Sequence, residues 1–126
     1  MGTKIAIVGT RTTGTVDFAG RMDALVGLMA EKPTEVISGG AKGYDTLAAL
    51  WAKARRIKQT EHKPQYKEYG RAATFIRNRR IVDDADLVVA FWDGKSRGTK
   101  YTIDYAMKQD KTIVIFSTDG NEIHIA

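Results

Sequence analysis

Three short segments of this 126-residue chain combine glycine, hydroxyl side chains and positive charge. They are Gly9-Thr10-Arg11, Ser38-Gly39-Gly40-Ala41-Lys42-Gly43-Tyr44-Asp45 and Trp92-Asp93-Gly94-Lys95-Ser96-Arg97-Gly98-Thr99. Each follows a short apolar run directly. That mixture suits a phosphate. Glycines carry no Cβ, so backbone N–H groups can approach phosphate oxygens closely. A helix that starts just after such a turn adds its unpaired first N–H groups and a dipole worth about half a positive charge. Thr10, Ser38, Ser96 and Thr99 supply hydroxyl donors, and Arg11 supplies a planar fork for bidentate contact. The pattern is not a P-loop, because no Gly-Lys-Ser/Thr closes a Gly-x-x-x-x segment, and no G-x-G-x-x-G follows the first apolar run.

Taken singly, each of these features has a plain structural meaning. Gly39 and Gly40 suit a tight turn, Gly94 and Gly98 suit loop punctuation, and Asp45 suits the first turn of a helix, where it complements the dipole. Their recurrence after three strands carries the functional reading. A second constellation is Arg77-Asn78-Arg79-Arg80. On a helix, Arg77 and Arg80 share a face and Arg79 points elsewhere. A solvated basic helix would look the same, but Arg77 and Asn78 are also placed to reach a ligand from the side. Trp51 belongs to an apolar helix face and so to the core. Trp92 follows a strand and serves either as core or as a base-stacking platform, with core the favoured reading.

The elements that must position these residues alternate strand and helix. Lys4–Val8, Glu35–Ser38, Ile57–Glu61, Leu87–Phe91 and Thr112–Phe116 read as short buried strands, and Ile123–Ile125 as a short edge strand. Asp17–Ala30 is amphipathic through Phe18, Met22, Leu25, Val26 and Met29, with Pro33 as its stop. Ala41–Arg56 puts Leu47, Leu50, Trp51 and Ala54 on one face. Tyr66–Val82 and Thr99–Lys108 complete the helices. This rhythm predicts an α/β fold, a doubly wound, Rossmann-like parallel sheet of about five strands with helices on both faces, in one domain over 1–126. In such sheets ligands bind beyond the carboxyl ends of the strands, where all three glycine-rich turns fall.

Composition narrows the function classes. The absence of cysteine excludes disulfides and thiolate metal sites, and two histidines make no metal centre, so neither metal nor cofactor is expected. No apolar stretch approaches a membrane span, and the start MGTKIAIVG lacks the pattern of a signal peptide, so the cytoplasm is the expected compartment. A net charge of +5 suits anionic partners, either small phosphates or nucleic acid.

The motifs together resemble the SLOG superfamily, and within it the YspA-type branch, whose pattern also has a Tyr-Gly-x-Ala-Ala stretch ahead of Arg-Asn. Here that stretch is Tyr69-Gly70-Arg71-Ala72-Ala73. The resemblance runs from Lys4 to Phe116. It implies a Rossmann-like sheet that binds nucleotides or nucleotide-derived ligands, including relatives of NAD and ADP-ribose. By position it places Gly9, Thr10, Arg11, Ser38, Gly39, Gly40, Ala41, Gly43, Asp45, Arg77, Asn78, Trp92, Asp93, Gly94, Ser96, Gly98 and Thr99 at the ligand. Asp45 would then meet a ribose hydroxyl or cap its own helix.

The related LOG branch cleaves the N-glycosidic bond of nucleoside monophosphates with a Gly-Gly-x-Gly-Thr-x-x-Glu motif, and Thr102 falls where that glutamate would be. The DprA branch shares the Gly-x-Arg, Ser-Gly-Gly-Ala-x-Gly-x-Asp and Arg-Asn-Arg elements and binds single-stranded DNA. Three expectations follow. The first is a module that binds or senses a small phosphate-bearing nucleotide. The second is a hydrolase of a glycosidic or phosphate bond in such a ligand, with Asp45 or Asp93 as acid or base and Arg11 and Arg77 steadying negative charge. The third is a single-strand nucleic-acid binder. Self-association into a homodimer or higher homo-oligomer is expected from the resemblance.

Overall fold

The structure, a computed structural model, describes residues 2–126. Six strands form one sheet in the order β3-β2-β1-β4-β5-β6. They are β1 (Thr3–Gly9), β2 (Pro33–Ser38), β3 (Lys58–Glu61), β4 (Leu87–Trp92), β5 (Thr112–Ser117) and β6 (Ile123–Ile125). The first five run parallel, and β6 pairs antiparallel with β5, placing His124 opposite Ile115. The parallel part has the five strands read from the sequence, and the sixth is the antiparallel edge.

The chain moves outward from β1 through β2 to β3, then crosses to β4 on the other side of β1. Strand order therefore reverses between β1 and β4, which leaves a crevice at their carboxyl ends.

Side-chain alternation splits each apolar run between two cores. Ile5 and Ile7 face one helix layer with Val36, Leu87, Val89, Phe91, Val114 and Phe116. Ala6 and Val8 face the other with Ile37, Val88, Ala90 and Ile113. Helices α1 (Phe18–Leu28) and α2 (Tyr44–Ala54) cover the first face. Helices α4 (Ala73–Asp84) and α5 (Arg97–Lys108) cover the second through Ile81, Val82, Ile103 and Ala106. No helix among the described residues is long and apolar enough to cross a membrane.

Three helices depart from the sequence expectation, each for a local reason. α1 ends at Leu28, with the extended residue Met29 as its C-cap, and Pro33 opens β2 instead of stopping the helix. α2 starts at Tyr44, not Ala41, because Gly43 sits at φ +85°, outside helical geometry. Its buried face is Tyr44, Ala48, Trp51 and Ala52, which leaves Leu50 61% exposed. The stretch expected as one helix over Tyr66–Val82 is broken. A short α3 (Tyr66–Tyr69) ends at Gly70, a 3-10 turn spans Gly70–Ala72, and α4 follows.

An aromatic stack locks the start of α2 beneath the end of β1. Tyr44 is fully buried and stacks on Phe91 at 4.8 Å between ring centroids, and Phe18 and Phe116 extend the cluster. The Tyr44 hydroxyl accepts the Gly14 N–H at 3.0 Å, and the room a Cβ would need at Gly9 is taken by the Tyr44 ring.

Candidate functional site at the strand-order reversal

The crevice holds a cleft of about 140 Å³. β1 and its following loop contribute Val8, Gly9 and Arg11. The β2–α2 connection contributes Gly39, Ala41 and Asp45, and α4 contributes Arg77, Asn78 and Ile81. The start of α5 contributes Ser96, Gly98, Thr99 and Thr102. Ten residues singled out from the sequence thus meet around one space: Gly9, Arg11, Gly39, Ala41, Asp45, Arg77, Asn78, Ser96, Gly98 and Thr99.

Arg77 is held in place from two sides. Its Nη1 donates to the Gly39 carbonyl at 2.9 Å, and its Nε donates to Asn78 Oδ1 at 2.8 Å. Gly39 is buried against it, and a Cβ there would collide with the guanidinium. Among the described residues the Arg77 Nη2 hydrogens have no protein acceptor, and neither Arg77 nor Arg11 has a carboxylate within 4.0 Å. Arg11 is exposed and makes no side-chain hydrogen bond within this set. Two cations without a carboxylate partner therefore line the cleft, one held by two hydrogen bonds and one held by none. Their planar forks match carboxylate or phosphate oxygens.

Asp45 is the carboxylate of the cleft. Its Oδ2 accepts the Ala41 N–H at 2.9 Å, so it ties down the glycine-rich turn ahead of its own helix. Burial raises its pKa above the ordinary carboxylate value, outweighing the Ala41 N–H, the nearby Arg77 charge and the Gly39 N–H, which all lower it. The charge of Glu61 adds to the upward push.

The start of α5 is organised differently. Ser96 is its N-cap, with Oγ accepting the Thr99 N–H at 3.5 Å. Thr102 is buried and donates its hydroxyl to the Gly98 carbonyl at 3.0 Å. The position where the LOG motif carries glutamate thus lines the cleft, and here it presents a hydroxyl already bonded to its own helix.

Seven residues of the sequence-based set lie outside this cleft. Thr10 is buried, with its N–H on the Phe91 carbonyl at 3.0 Å and its hydroxyl on the Thr12 carbonyl, so it fastens the β1 loop to β4. Ser38 is buried at the end of β2, where its carbonyl accepts the His62 N–H. Gly43 holds the turn, since a Cβ there would lie 2.5 Å from the Arg11 carbonyl oxygen. Gly40 borders an adjoining hollow. Asp93 folds back on its own loop, with Oδ1 accepting the N–H groups of Lys95 and Ser96 at 2.8 Å each, and these bonds hold its pKa below the ordinary value. Gly94 completes that turn, and Trp92 donates Nε1–H to the Ser96 carbonyl at 3.0 Å, bracing the loop from behind. The residues that sequence reasoning passed over are Val8 and Ile81, apolar walls whose place in the cleft depends on the packing of α4 against β1.

Along the basic helix the side chains part company. Arg80 turns outward, donating to Gln65 Oε1 at 2.8 Å and to the Tyr69 hydroxyl at 3.2 Å, with its guanidinium 5.7 Å from the Tyr69 ring centroid. Arg77 alone of the pair serves the cleft. Asp84, one turn beyond Arg80, hydrogen-bonds the His62 ring at 2.8 Å.

Comparison with known proteins places this geometry in context. The sequence profile of the YspA, cpYpsA-related SLOG family matches residues 3–69. The Gene 61 protein of Mycobacterium phage D29 is 31% identical over 87 residues, covering 64% of this chain and 70% of the phage protein. The crystal structure of DNA processing protein A (DprA) from Streptococcus pneumoniae superposes with a TM-score of 0.67 over 92% of this chain, at 22% identity. The match takes in 50% of that protein, so the chain spans about half its length, and the likeness is one of fold.

Proposed function

Because the chain belongs to the YspA, cpYpsA-related SLOG family, we propose that it binds a small phosphate-bearing nucleotide, of the ADP-ribose or NAD-derived kind, at the carboxyl ends of β1, β2 and β4. One observation carries the reading. The crevice at the strand-order reversal brings two cations without carboxylate partners, Arg11 and Arg77, against the backbone of the glycine-rich β2–α2 turn. In that setting a phosphate gains bidentate, charge-assisted hydrogen bonds, each contributing about 1.5–3 kcal/mol. Gly9, Ser96, Gly98 and Thr99 bound the same space, and Asp45, inside the turn, is placed to meet a ribose hydroxyl.

Binding is favoured over hydrolysis by the acid–base inventory of the cleft. Asp45 is the only carboxylate lining it among the described residues, and Thr102 stands where the LOG branch carries glutamate. A single-strand nucleic-acid reading draws on a different observation, the exposed cations Arg71, Arg79, Lys100 and Arg97 on and ahead of α4 and α5. Such a surface would bind with strong salt dependence, whereas a compact pocket ligand responds weakly.

The test is a thermal-shift and calorimetric titration with AMP, ADP-ribose, NAD and a six-nucleotide single strand. A ligand at about a hundred times its dissociation constant stabilises the folded state by roughly 2.7 kcal/mol, a shift of several degrees. Arg11→Ala, which removes no internal hydrogen bond, should weaken binding by about tenfold or more without lowering the melting temperature of the free protein. A shift seen only with the oligonucleotide, and erased by salt, would replace the pocket reading with the nucleic-acid one.

A further inference from the structure

A second hollow of about 280 Å³ adjoins the cleft, and Arg11, Gly39, Ala41 and Arg77 line both. Beyond that shared partition the second hollow is bounded by Gly40, Lys42, Pro64, Tyr66 and Thr74. Neither space alone reaches the roughly 300 Å³ at which small-molecule pockets begin, but together they do. A nucleotide held at the cleft by its phosphate must therefore leave part of itself outside, and the second hollow is where the partition leads.

The walls of that hollow suit one kind of group. Tyr66 is 58% exposed, and among the described residues its ring has no aromatic neighbour and its hydroxyl no hydrogen bond. Its neighbours differ. Tyr69 is engaged by Arg80, and Phe75, on the far side of α4, is paired edge-on with Tyr101 at 4.7 Å. Lys42 is exposed and has no carboxylate within 4.0 Å among the described residues, so Lys42, Arg11 and Arg77 outnumber the one carboxylate nearby, Glu61 beside Gly40. A single exposed tyrosine is ordinary on a protein surface. An uncommitted ring across a shared wall from two unpaired arginines is a more specific arrangement.

We infer that the second hollow is the base compartment of the same site: the phosphate lies against Gly39 and Arg77, and the heterocyclic base stacks on Tyr66. The inference rests on the nucleotide-binding reading above. It identifies the recognised group as a planar heterocycle attached to a sugar phosphate, since a flat π-face is what an open tyrosine ring selects. The break at Gly70 gives it a structural basis, because it turns the short α3 away from the line of α4 and sets Tyr66 beside Thr74 and Arg77.

The test compares AMP with ribose 5-phosphate, which has the sugar and phosphate but no base, by isothermal titration against the wild type, Tyr66→Ala, Tyr66→Phe and Phe75→Ala. Tyr66→Ala should weaken AMP about tenfold and leave ribose 5-phosphate unchanged, while Tyr66→Phe keeps most of the AMP affinity. Unchanged AMP affinity in Tyr66→Ala, an equal fall for both compounds, or a fall in Phe75→Ala instead would overturn the inference while leaving the phosphate cleft intact. If the wild type binds neither compound, and neither ADP-ribose nor NAD, the nucleotide reading fails and this inference fails with it.

Discussion

The β2–α2 and β4–α5 turns look alike in composition, yet the fold uses them in opposite ways. In the β4–α5 turn the acceptors come early and face inward: Asp93 takes two backbone N–H groups and Ser96 takes a third. That loop satisfies itself, and only the flank of the helix behind it, at Gly98, Thr99 and Thr102, reaches the cleft. In the β2–α2 turn no side chain caps the helix at Gly43, and the turn is instead braced by a distant cation, Arg77 on the Gly39 carbonyl, and by Asp45 from the far side. The β4–α5 turn is held by local bonds alone, whereas the β2–α2 turn adds a tertiary bond, Arg77 on the Gly39 carbonyl, to the local one from Asp45. Glycine content alone therefore does not mark a phosphate site. What distinguishes the two turns is that a cation from elsewhere in the chain, Arg77, reaches only the β2–α2 turn.

Substitutions in the two turns should break or sharpen this contrast. The largest effect is expected at Gly43→Ala, which forces a Cβ into a φ of +85° and to within 2.5 Å of the Arg11 carbonyl oxygen. Unfolding in urea should show a loss of about 3 kcal/mol, with nucleotide affinity falling as Arg11 is displaced. Asp93→Ala removes the acceptor of two exposed N–H groups in the self-contained turn and should cost about 1 kcal/mol, leaving nucleotide affinity unchanged because Asp93 is not in the cleft. A fall in affinity as large as that of Arg11→Ala would erase the distinction between the turns.

Gly98→Ala should do the reverse. Apart from its chain neighbours and its own helix backbone, no atom lies within 4 Å of the Cβ it would add, so the helix gains roughly 0.5 kcal/mol from the better former while the methyl group narrows the cleft. A higher melting temperature together with weaker nucleotide binding is the expected pair of results.

The smallest effects are the pH dependences, which should have opposite signs. Burial raises the Asp45 pKa above the ordinary 3.8, so the native state holds that proton more tightly than the unfolded chain. Stability tied to Asp45 is then greatest at low pH and declines as pH rises from 3.8 through the raised native value. The Ser96 and Lys95 N–H groups lower the Asp93 pKa, so its contribution is present above 3.8 and fades as pH falls through the lowered native value. Denaturation curves between pH 2.5 and 7 should show Asp45→Asn removing the first slope and Asp93→Asn the second. The second change should be slight, because Asp93 is exposed and its interactions are screened.

Much of the fold was legible in advance. Short β-branched runs and three- or four-residue apolar spacings are local signals, and they located every strand to within two residues at each end. Two of the three helix errors share one cause, that glycine acts through its backbone. Gly43 and Gly70 each interrupt a pattern of side chains that would otherwise continue as helix. The misplaced Leu50 shows a second limit. Helical spacing groups residues by face, but which face is buried depends on where the sheet lies, and here Tyr44 and Ala48 lie against it.

For the candidate site, the sequence by itself determined the chemistry on offer: glycine-rich turns after three strands, hydroxyls beside them, and arginines at positions 11 and 77. Those are properties of residue type and short spacing, and alternation carries them to one edge of a parallel sheet. Only the tertiary structure decided which of them share a space. Arg77 meets Gly39 across 38 positions of sequence because the crossover to β4 lays α4 over β1 and β2, whereas Asp93 and Trp92 turn into their own loop. Hydrogen bonds within a loop are encoded at short range. The pairing of a strand end with a helix from elsewhere in the chain follows from strand order, which no local pattern contains.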